Sequence, residues 1–333
     1  MWHRPVVSAV LGVVLVLGLG PVLAGCGFQA AASSGGGPRD AAIDGPGSGA
    51  VDGGDGPIAA TDCWAHWMDG SVAIDGSTVK EITELSSTGH DLEPWISKDG
   101  LRMYFSRDLT PPGHGDIYVT SRDTPTGMFA APAPVANLNS TGHEGRAWLT
   151  TDELTLALST AHDGPIDIHM ITRAAGQMFG TPDNAHLAMV NAKGSMRFEP
   201  FLTDDLLRLY FSADSGPGNK WQLWVAARSA PGDDFGTPSL VLNDNGMNYF
   251  AAALYQNEQL LVFSSFPMNA TADLYYATRS GATGPFGTPV KIPTVNTSSS
   301  EAEAVLGHDG CELYFTSDRN AGRFHLFHAR ITK

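Results

Sequence analysis

Apolar and polar residues alternate with a period of two through most of this chain, and the clearest stretch runs from Glu93 to Ser140. It contains an apolar run, a polar turn at Asp99 and Gly100, an alternating aromatic segment, a loop rich in glycine and proline, and two further short segments. Alternation of this kind between turn residues is typical of β-strands. The stretch therefore predicts four short antiparallel strands.

The same stretch returns every 52 or 53 residues. We take Glu93 as the anchor position of the first copy, and an apolar residue lies 12 positions after each anchor. The five anchor residues are Glu93, Arg146, Glu199, Ala251 and Glu303. A repeat of this length with four short strands per copy predicts small sheets arranged radially.

The fifth copy reaches Lys333 without the last strand that the other copies possess. A matching segment precedes the first copy, where Val79 to Ser87 reads VKEITELSS. We expect this strand to complete the last sheet, because closure of the ring hides strand edges that would otherwise aggregate. The sequence thus predicts an all-β, five-bladed β-propeller of four-stranded antiparallel blades over residues 61–333, with its last blade completed by an N-terminal strand.

The repeat resembles the WD40-like β-propeller repeat of the TolB type, which is common in bacterial envelope proteins. The resemblance rests on EPWISKDGLRMYFS at residues 93–106, on DIYVTSR at residues 116–122 and on their later copies, and it covers about residues 77–333. It implies a propeller that serves as a scaffold or a partner-binding module and, less often, as an enzyme.

The composition narrows the choice of partners. The 333 residues carry a formal net charge of −15 and are 42% apolar and 17% charged, so the chain can bury a large core behind an acidic surface. Nucleic-acid phosphates require clustered Lys and Arg, and the sequence has no basic patch interleaved with aromatic residues. A nucleic-acid partner is therefore not expected.

The first 60 residues predict export rather than a folded domain. His3 and Arg4 precede an apolar run from Val6 to Gly20 that is too short and too interrupted for a membrane span, so residues 1–25 are expected to be a signal peptide. Residues 26–60 are rich in Gly, Ala, Ser, Pro and Asp, and a segment of that composition cannot bury enough apolar surface to fold. They are expected to form a disordered tether.

The residues at the expected cleavage site, Leu23-Ala24-Gly25-Cys26, resemble the lipobox of bacterial lipoproteins. In that family the cysteine thiol takes up a diacylglyceryl group, and acyl chains bind membranes with about 0.8 kcal/mol per buried methylene. Gly27 after the cysteine resembles the pattern of proteins sent to the outer membrane. The resemblance implies an envelope lipoprotein, in the outer membrane of a Gram-negative bacterium, whereas an ordinary signal peptide with a chance cysteine is the alternative.

Two cysteines remain, Cys63 and Cys311. An even number of cysteines in an oxidising compartment suggests a disulfide. The closure of the ring sharpens this prediction, because Cys63 precedes the strand that joins the last blade and Cys311 begins the second strand of that blade. Two separate buried thiols are the alternative.

Ligand sites of propellers usually gather where the loops from each outer strand to the next inner strand open on the central channel, and we expect a rim of mixed charge there. The candidate rim residues at the inner strands are His90, Glu93, His143, Arg146, Glu199 and Glu303. Those in the loops between the second and third strands are Arg107, Asp108, His114, His162, Asp163, Asp214, Lys220, Asp318 and Arg319.

Two chemical interpretations of the rim compete with a structural one. Glu93, Glu199 and Glu303 could serve as the general acid and the base or nucleophile of a glycosidase. They occupy one repeat position, however, and this favours the same packing or hydrogen-bonding role in each blade. His90 and His143 could bind a metal, but the later copies have no histidine there, so no set of metal ligands repeats.

The sequence contains no G-x-S-x-G elbow, H-E-x-x-H, P-loop or G-x-G-x-x-G motif, and it predicts no cofactor. We therefore favour a non-enzymatic scaffold of the cell envelope that binds a protein or another envelope component. A carbohydrate-binding propeller and, less favoured, a glycoside hydrolase with carboxylates at the channel mouth remain as alternatives.

Overall fold

The computed structural model of the chain describes residues 62–332 except 110–114, 162–163, 215–219, 244–245, 268–269 and 321. The signal peptide, the tether and Cys26 lie outside the described residues. Within the described part, no helix is both long enough and apolar enough to cross a membrane.

The strands form five antiparallel sheets; four of them follow the order of the chain, and in the fifth two N-terminal strands pair with the last strand of the chain. Two short strands precede the first blade: β1 (Ala73–Ile74) and β2 (Lys80–Glu81). Blade 1 consists of β3 (His90–Ile96), β4 (Arg102–Asp108), β5 (Asp116–Ser121) and β6 (Ala133–Pro134). Blade 2 consists of β7 (Glu144–Leu149), β8 (Thr155–Thr160) and β9 (Asp167–Thr172).

Blade 3 consists of β10 (Arg197–Leu202), β11 (Arg208–Ala213), β12 (Gln222–Ala227) and β13 (Ser239–Leu240). Blade 4 consists of β14 (Asn248–Tyr255), β15 (Leu260–Phe266), β16 (Asp273–Thr278) and β17 (Val290–Lys291). Blade 5 contains β18 (Glu301–Leu306), β19 (Glu312–Ser317) and β20 (His325–Thr332). The predicted five-bladed β-propeller is thereby confirmed.

The first strand of each blade lies next to the channel, and these five inner strands contact one another in a closed ring. The apolar residue that the repeat places 12 positions after each anchor is fully buried in every blade: Phe105, Leu158, Phe211, Phe263 and Phe315. Burial of these side chains between neighbouring sheets supplies much of the apolar surface that a single small sheet cannot hide.

An N-terminal strand completes the last blade, as predicted. Strand β2 pairs with β20, with Lys80 opposite His328 and Glu81 opposite Phe327. The paired segment is shorter than expected, because a 3-10 turn at Thr83–Leu85 follows it. Strand β1, which the sequence pattern did not indicate, extends the same edge by pairing with the end of β20.

Blade 2 departs from the predicted four strands. Its fourth strand is reduced to one bridge between Met170 and Asp183, and helix α2 (Ala188–Asn191) follows. The carboxylate of Asp183 accepts a hydrogen bond from the Ala185 N–H at 3.0 Å, which turns the chain away from the sheet. Aspartate commonly forms turns of this kind and is depleted in strands.

In each of the first four blades, the arginine that follows the third strand contacts other residues of the same blade. Arg122 donates from Nε to the Gly100 carbonyl at 2.7 Å, and its guanidinium lies 4.4 Å from the centre of the Phe129 ring. The same stacking occurs in the next three blades: Arg173 on Phe179, Arg228 on Phe235 and Arg279 on Phe286. These contacts explain why the sequence repeats an arginine together with a following phenylalanine.

Helix α1 (Trp64–Asp69) packs against the turn between the first two strands of blade 5. A disulfide joins Cys63 to Cys311, with 5.0 Å between their Cα atoms. The Trp67 Nε1–H donates to the Gly310 carbonyl at 2.8 Å, and the Cys63 N–H donates to the Asp309 carbonyl at 2.8 Å. The helix is therefore fixed to the face of the propeller where the inner strands end.

Candidate functional site in the central channel

A β-bulge in each inner strand directs the anchor side chains to the channel. In blade 1 the pairing register shifts between Leu92 and Trp95, and Glu93 has a φ of 57°. The other four anchor residues also have positive φ, between 35° and 59°. Bulges commonly redirect a side chain in this way. As a result, carboxylate oxygens of Glu93, Glu199 and Glu303 lie within 4.8 Å of one another.

These three channel carboxylates link neighbouring blades. The Glu93 Oε2 accepts the Arg146 N–H at 2.6 Å, and the Glu199 Oε2 accepts the Ala251 N–H at 2.7 Å. The Glu303 Oε2 accepts the Glu93 N–H at 2.9 Å, which ties the last blade to the first. Each glutamate thus bonds to the anchor N–H of the next blade around the ring.

A hydroxyl residue 13 positions after each anchor completes the pattern. Ser106, Ser212 and Thr316 donate to the carboxylate of their own blade. Where the anchor is not glutamate, the hydroxyl oxygen itself accepts the next anchor N–H: Ser159 from Glu199 at 3.0 Å and Ser264 from Glu303 at 2.9 Å. The serine therefore replaces the missing carboxylate in blades 2 and 4.

This arrangement predicts unequal effects for equivalent mutations. Ser264→Ala leaves the buried Glu303 N–H without its acceptor and should lower the free energy of unfolding by about 1 to 3 kcal/mol. Ser106→Ala removes one donor to Glu93 but leaves the Arg146 N–H bonded to that carboxylate, so it should cost about 1 kcal/mol. Urea denaturation of both variants compares the two costs. Equal losses would contradict the proposed exchange of serine for carboxylate.

Burial and mutual repulsion perturb the channel carboxylates. Burial, together with the charges of Glu93 and Glu199, raises the pKa of Glu303 to about 8. Burial also raises the pKa of Glu199 to about 7, although the positive charge of Arg146 opposes that increase. Close to neutral pH the ring therefore binds protons that exposed glutamates would have released.

Arg146 carries a buried charge beside this ring. Only 1% of its surface is exposed, and its Nη2 donates to the Ala252 carbonyl across the channel at 3.4 Å. Its guanidinium lies 5.5 Å from the centre of the Trp148 ring. Its Nε and Nη1 have no hydrogen-bond partner among the described residues. Arg146 thus occupies the space that the small anchor Ala251 leaves open in blade 4.

The channel carboxylates are the group of described acidic, histidine and cysteine side chains that could share a metal ion. Two features work against that use. Each Oε2 is already engaged in bonds between blades, and the Arg146 charge acts on the same buried carboxylates. The geometry therefore assigns these glutamates first to the cohesion of the ring, which is the structural role that their shared repeat position suggests.

His90 and His143 are placed beside the neighbouring blade rather than together. The His90 Nδ1 accepts the Phe324 N–H at 3.1 Å, and the His143 Nδ1 accepts the Gly115 N–H at 3.2 Å. In blade 4 the side-chain oxygen of Asn248 accepts the N–H of Trp221, which in blade 3 is equivalent to the N–H of Gly115 in blade 1. The two histidines are therefore acceptors that join successive blades.

The described candidate rim residues in the loops include four that form bonds within the propeller. Arg107 donates to Asp91 at 2.6 Å, Asp214 accepts the Ser195 N–H at 2.7 Å, and Asp318 accepts the Ser300 N–H at 2.8 Å. Arg319 donates to the Val295 carbonyl at 2.6 Å. His114, His162 and Asp163 lie outside the described residues. The channel glutamates and Arg146, which the sequence placed at this rim, are buried inside the channel instead.

The opposite end of the channel holds a cavity of about 680 Å³, which we call the channel-end cavity. It lies where the inner strands end, so it opens on the face away from the predicted rim. The residue two positions after the anchor lines it in four blades, and in blades 1, 2 and 3 this residue is aromatic: Trp95, Trp148 and Phe201. Sequence reasoning missed this cavity because such residues also suit a packed core.

Helix α1 supplies another wall of the channel-end cavity. Trp64 lines the cavity, and its ring lies 5.5 Å from that of Tyr255 in blade 4. A Cβ atom at Gly310 would come within 2.7 Å of Trp64, so only glycine allows this close approach. The disulfide at Cys63 holds the helix that carries Trp64, and it therefore helps to shape the cavity.

The turn that follows the inner strand of blade 4 is strained and borders the same cavity. Gln256, Asn257 and Glu258 are three consecutive residues with φ values of 52°, 52° and 63°. A left-handed conformation costs a residue other than glycine about 1 to 3 kcal/mol, and such strain is often found at binding sites. Glu258 anchors the turn by accepting two bonds from the Arg208 Nε, at 2.7 and 2.8 Å.

No protein family model matches the chain, and no curated protein matches it. Among solved structures, the catalytic domain of a GH62 α-L-arabinofuranosidase from Coprinopsis cinerea is similar, with 14% identity, a TM-score of 0.54, and coverage of 74% of this chain and 93% of that one. An endo-arabinase from Bacteroides thetaiotaomicron has 12% identity and a TM-score of 0.52, with coverage of 74% and 95%.

TolB from Acinetobacter baumannii has 14% identity and a TM-score of 0.46 over 74% of this chain, which spans 57% of the length of TolB. At such identities the similarities concern the fold alone. The fold and its channel define a five-bladed β-propeller that has TolB among its structural neighbours.

Proposed function

We propose that this protein is a non-enzymatic binding protein of the bacterial cell envelope that takes an envelope component into the channel-end cavity. The observation that carries the proposal is the cavity itself, about 680 Å³ in volume and framed by the ends of the inner strands. Ligand pockets of proteins are typically about 300 to 1,000 Å³ and combine aromatic walls with a few polar groups. The cavity has both properties, and a concave site of this size suits a small or chain-like ligand better than a flat protein surface.

The position of the carboxylates favours binding over hydrolysis. A glycosidase needs two carboxyl groups that reach the substrate from either side of the scissile bond. Here Glu93, Glu199 and Glu303 are each less than a tenth exposed, and each accepts hydrogen bonds from the next blade or from a hydroxyl of its own blade. A catalytic role would require them to leave bonds that hold the ring together.

The proposed location rests on the sequence before residue 27. Leu23-Ala24-Gly25-Cys26 after a short apolar run resembles a lipobox, and acylation of Cys26 would hold the propeller at the membrane. Mass spectrometry of the mature protein should find an acylated Cys26 at its N-terminus, and Cys26→Ser should move the protein to the soluble fraction. A mature protein that begins at another residue would refute the lipid anchor.

A substitution that fills the cavity tests the proposed function. Ala282 lines the cavity from a loop of blade 4 and is partly exposed, so Ala282→Trp should obstruct the site with little effect on the fold. The full-length protein is incubated with the separated lipid, polysaccharide and protein fractions of the envelope. We expect one fraction to be retained by the wild type and by Ala175→Trp, an exposed control in blade 2, but not by Ala282→Trp.

Retention that is equal for all three proteins would show that the channel-end cavity is not the binding site. Absence of retention from every fraction would refute the proposed function as a whole.

A further inference from the structure

We propose that the ligand of the channel-end cavity is an uncharged carbohydrate, namely the end of a neutral glycan chain. This inference rests on the proposed function and names the chemical class of its ligand. It follows from three features of the cavity: facing aromatic pairs, carboxylates that are already bonded, and two amide side chains on a strained turn.

Aromatic rings stand on two sides of the cavity. In blades 2 and 3 the rings of Trp148 and Phe201 lie 4.4 Å apart, and on the side of blades 4 and 5 the rings of Trp64 and Tyr255 lie 5.5 Å apart. Trp95 of blade 1 closes the wall between these pairs. A pyranose or furanose ring presents flat C–H faces that pack on aromatic rings, while its edges carry hydroxyl groups.

The charged groups at the cavity do not favour an ionic ligand. Asp204 already accepts bonds from the Thr151 N–H and hydroxyl, at 2.7 and 2.6 Å. Asp205 accepts from Thr203 at 2.5 Å, and Glu258 is paired with Arg208. The lining includes only Lys98 and Arg208 as fully cationic side chains against these three carboxylates. An anionic or a cationic ligand would therefore meet unfavourable or already engaged charges.

Gln256 and Asn257 provide the groups that an uncharged polar ligand requires. A side-chain amide both donates and accepts hydrogen bonds, which matches the hydroxyl groups of a sugar. In each of the other blades the turn that follows the inner strand has one residue in the left-handed region. These residues are Gly100, Glu153, Leu206 and Gly310. Blade 4 alone among the described turns holds three successive residues there, and this strained course brings both amides to the cavity.

The decisive variant is Asn257→Gly. Glycine adopts a positive φ without strain, so this change should leave the melting temperature unchanged or raise it while removing the amide. Asn137→Gly is the matched control, because Asn137 is also left-handed, with a φ of 68°, and is exposed on blade 1 away from the cavity.

The experiment measures binding of neutral cello-, xylo-, manno-, arabino- and chito-oligosaccharides to the full-length protein by calorimetry and by tryptophan fluorescence. We expect at least one of these to bind, to alter the emission of the cavity tryptophans, and to bind about tenfold more weakly to Asn257→Gly but equally well to Asn137→Gly. Polygalacturonate and heparin serve as charged comparisons and should not bind.

Several results would overturn the inference. If no neutral oligosaccharide binds although Ala282→Trp still abolishes retention of an envelope fraction, the proposed function stands and the inference that the ligand is a neutral carbohydrate is wrong. Preference for the charged glycans would refute the uncharged class, and an undiminished affinity of Asn257→Gly would refute the role of the strained turn. Release of shorter sugars during incubation would contradict a non-enzymatic function.

Discussion

Removing the disulfide should lower the free energy of unfolding by about 3 to 5 kcal/mol. Cys63 and Cys311 are 248 residues apart in the chain, and a crosslink over so long a loop strongly restricts the unfolded state. The bond also fixes helix α1, whose Trp67 is fully buried and donates to Gly310. The double variant Cys63→Ser/Cys311→Ser should therefore unfold at a clearly lower urea concentration.

Reduction of the wild type with dithiothreitol provides the internal control. It should reproduce the stability of the double variant, and it should have no effect on the variant itself. The loss of the bond should also weaken binding in the channel-end cavity, because Trp64 is then free to move away from Tyr255. A double variant as stable as the wild type would show that hydrogen bonds and packing alone hold α1 in place.

The second large effect is a loss of stability as the pH rises. The pKa values of Glu199 and Glu303 are raised to about 7 and about 8, from an ordinary value of 4.5, chiefly by burial. A carboxyl group with a raised pKa stabilises the native state fully below its unfolded pKa, and that contribution is lost as the pH rises through the native pKa. Between about pH 5 and pH 8 we expect the free energy of unfolding to decrease by an amount on the order of 5 kcal/mol.

The variant Glu303→Gln isolates this effect. A glutamine keeps an acceptor for the Glu93 N–H but cannot ionise, so it should match the wild type at pH 5 and exceed it in stability at about pH 9. Asp75→Asn is the comparison, because hydrogen bonds from Ser77 lower the pKa of this exposed carboxyl, so its contribution is lost as the pH falls. Identical pH profiles for Glu303→Gln and the wild type would mean that Glu303 is ionised throughout this pH range.

The propeller could be predicted from the sequence because the same pattern of strands and turns recurs in five copies. A single apolar residue such as Phe105 does not show whether its position is buried. An apolar residue 12 positions after each of five anchors predicts that this position is buried in every blade, as it is. The exception is the outer strand of blade 2, where Asp183 forms a turn with Ala185 in place of a strand. An outer strand contributes little to the core, so the repeat tolerates its loss.

The channel was only partly predictable. The shared repeat position of Glu93, Glu199 and Glu303 correctly indicates a common hydrogen-bonding role, but the positive φ that directs them inward leaves no mark in the pattern. The pattern places Arg146 and Ala251 at the same repeat position but does not show what an arginine or an alanine does there. In the structure the positive charge of Arg146 opposes the increase in the pKa of Glu199, and its Nη2 donates to the Ala252 carbonyl beside Ala251.

The channel-end cavity could not be derived from periodicity. Trp95 and Trp148 follow their anchors at the same interval as Val305, so each looks like one more residue of the core. The cavity arises because blades 4 and 5 lack an aromatic residue at this position and because Trp64 reaches it from outside the repeat. The effect of these two features on the cavity becomes clear only in the folded structure, where the five blades surround one channel.

The pairing of Lys80 with His328 has a consequence for how the molecule is made. Synthesis proceeds from the N-terminus, so β1 and β2 emerge long before β20 exists to receive them. Four blades can assemble on neighbouring contacts while these early segments remain without their edge partner, and contacts between such distant residues form slowly. The earliest strands to be made are thus the latest to be paired, and a chain that lacks its final ten residues should remain an unclosed ring exposed to proteases.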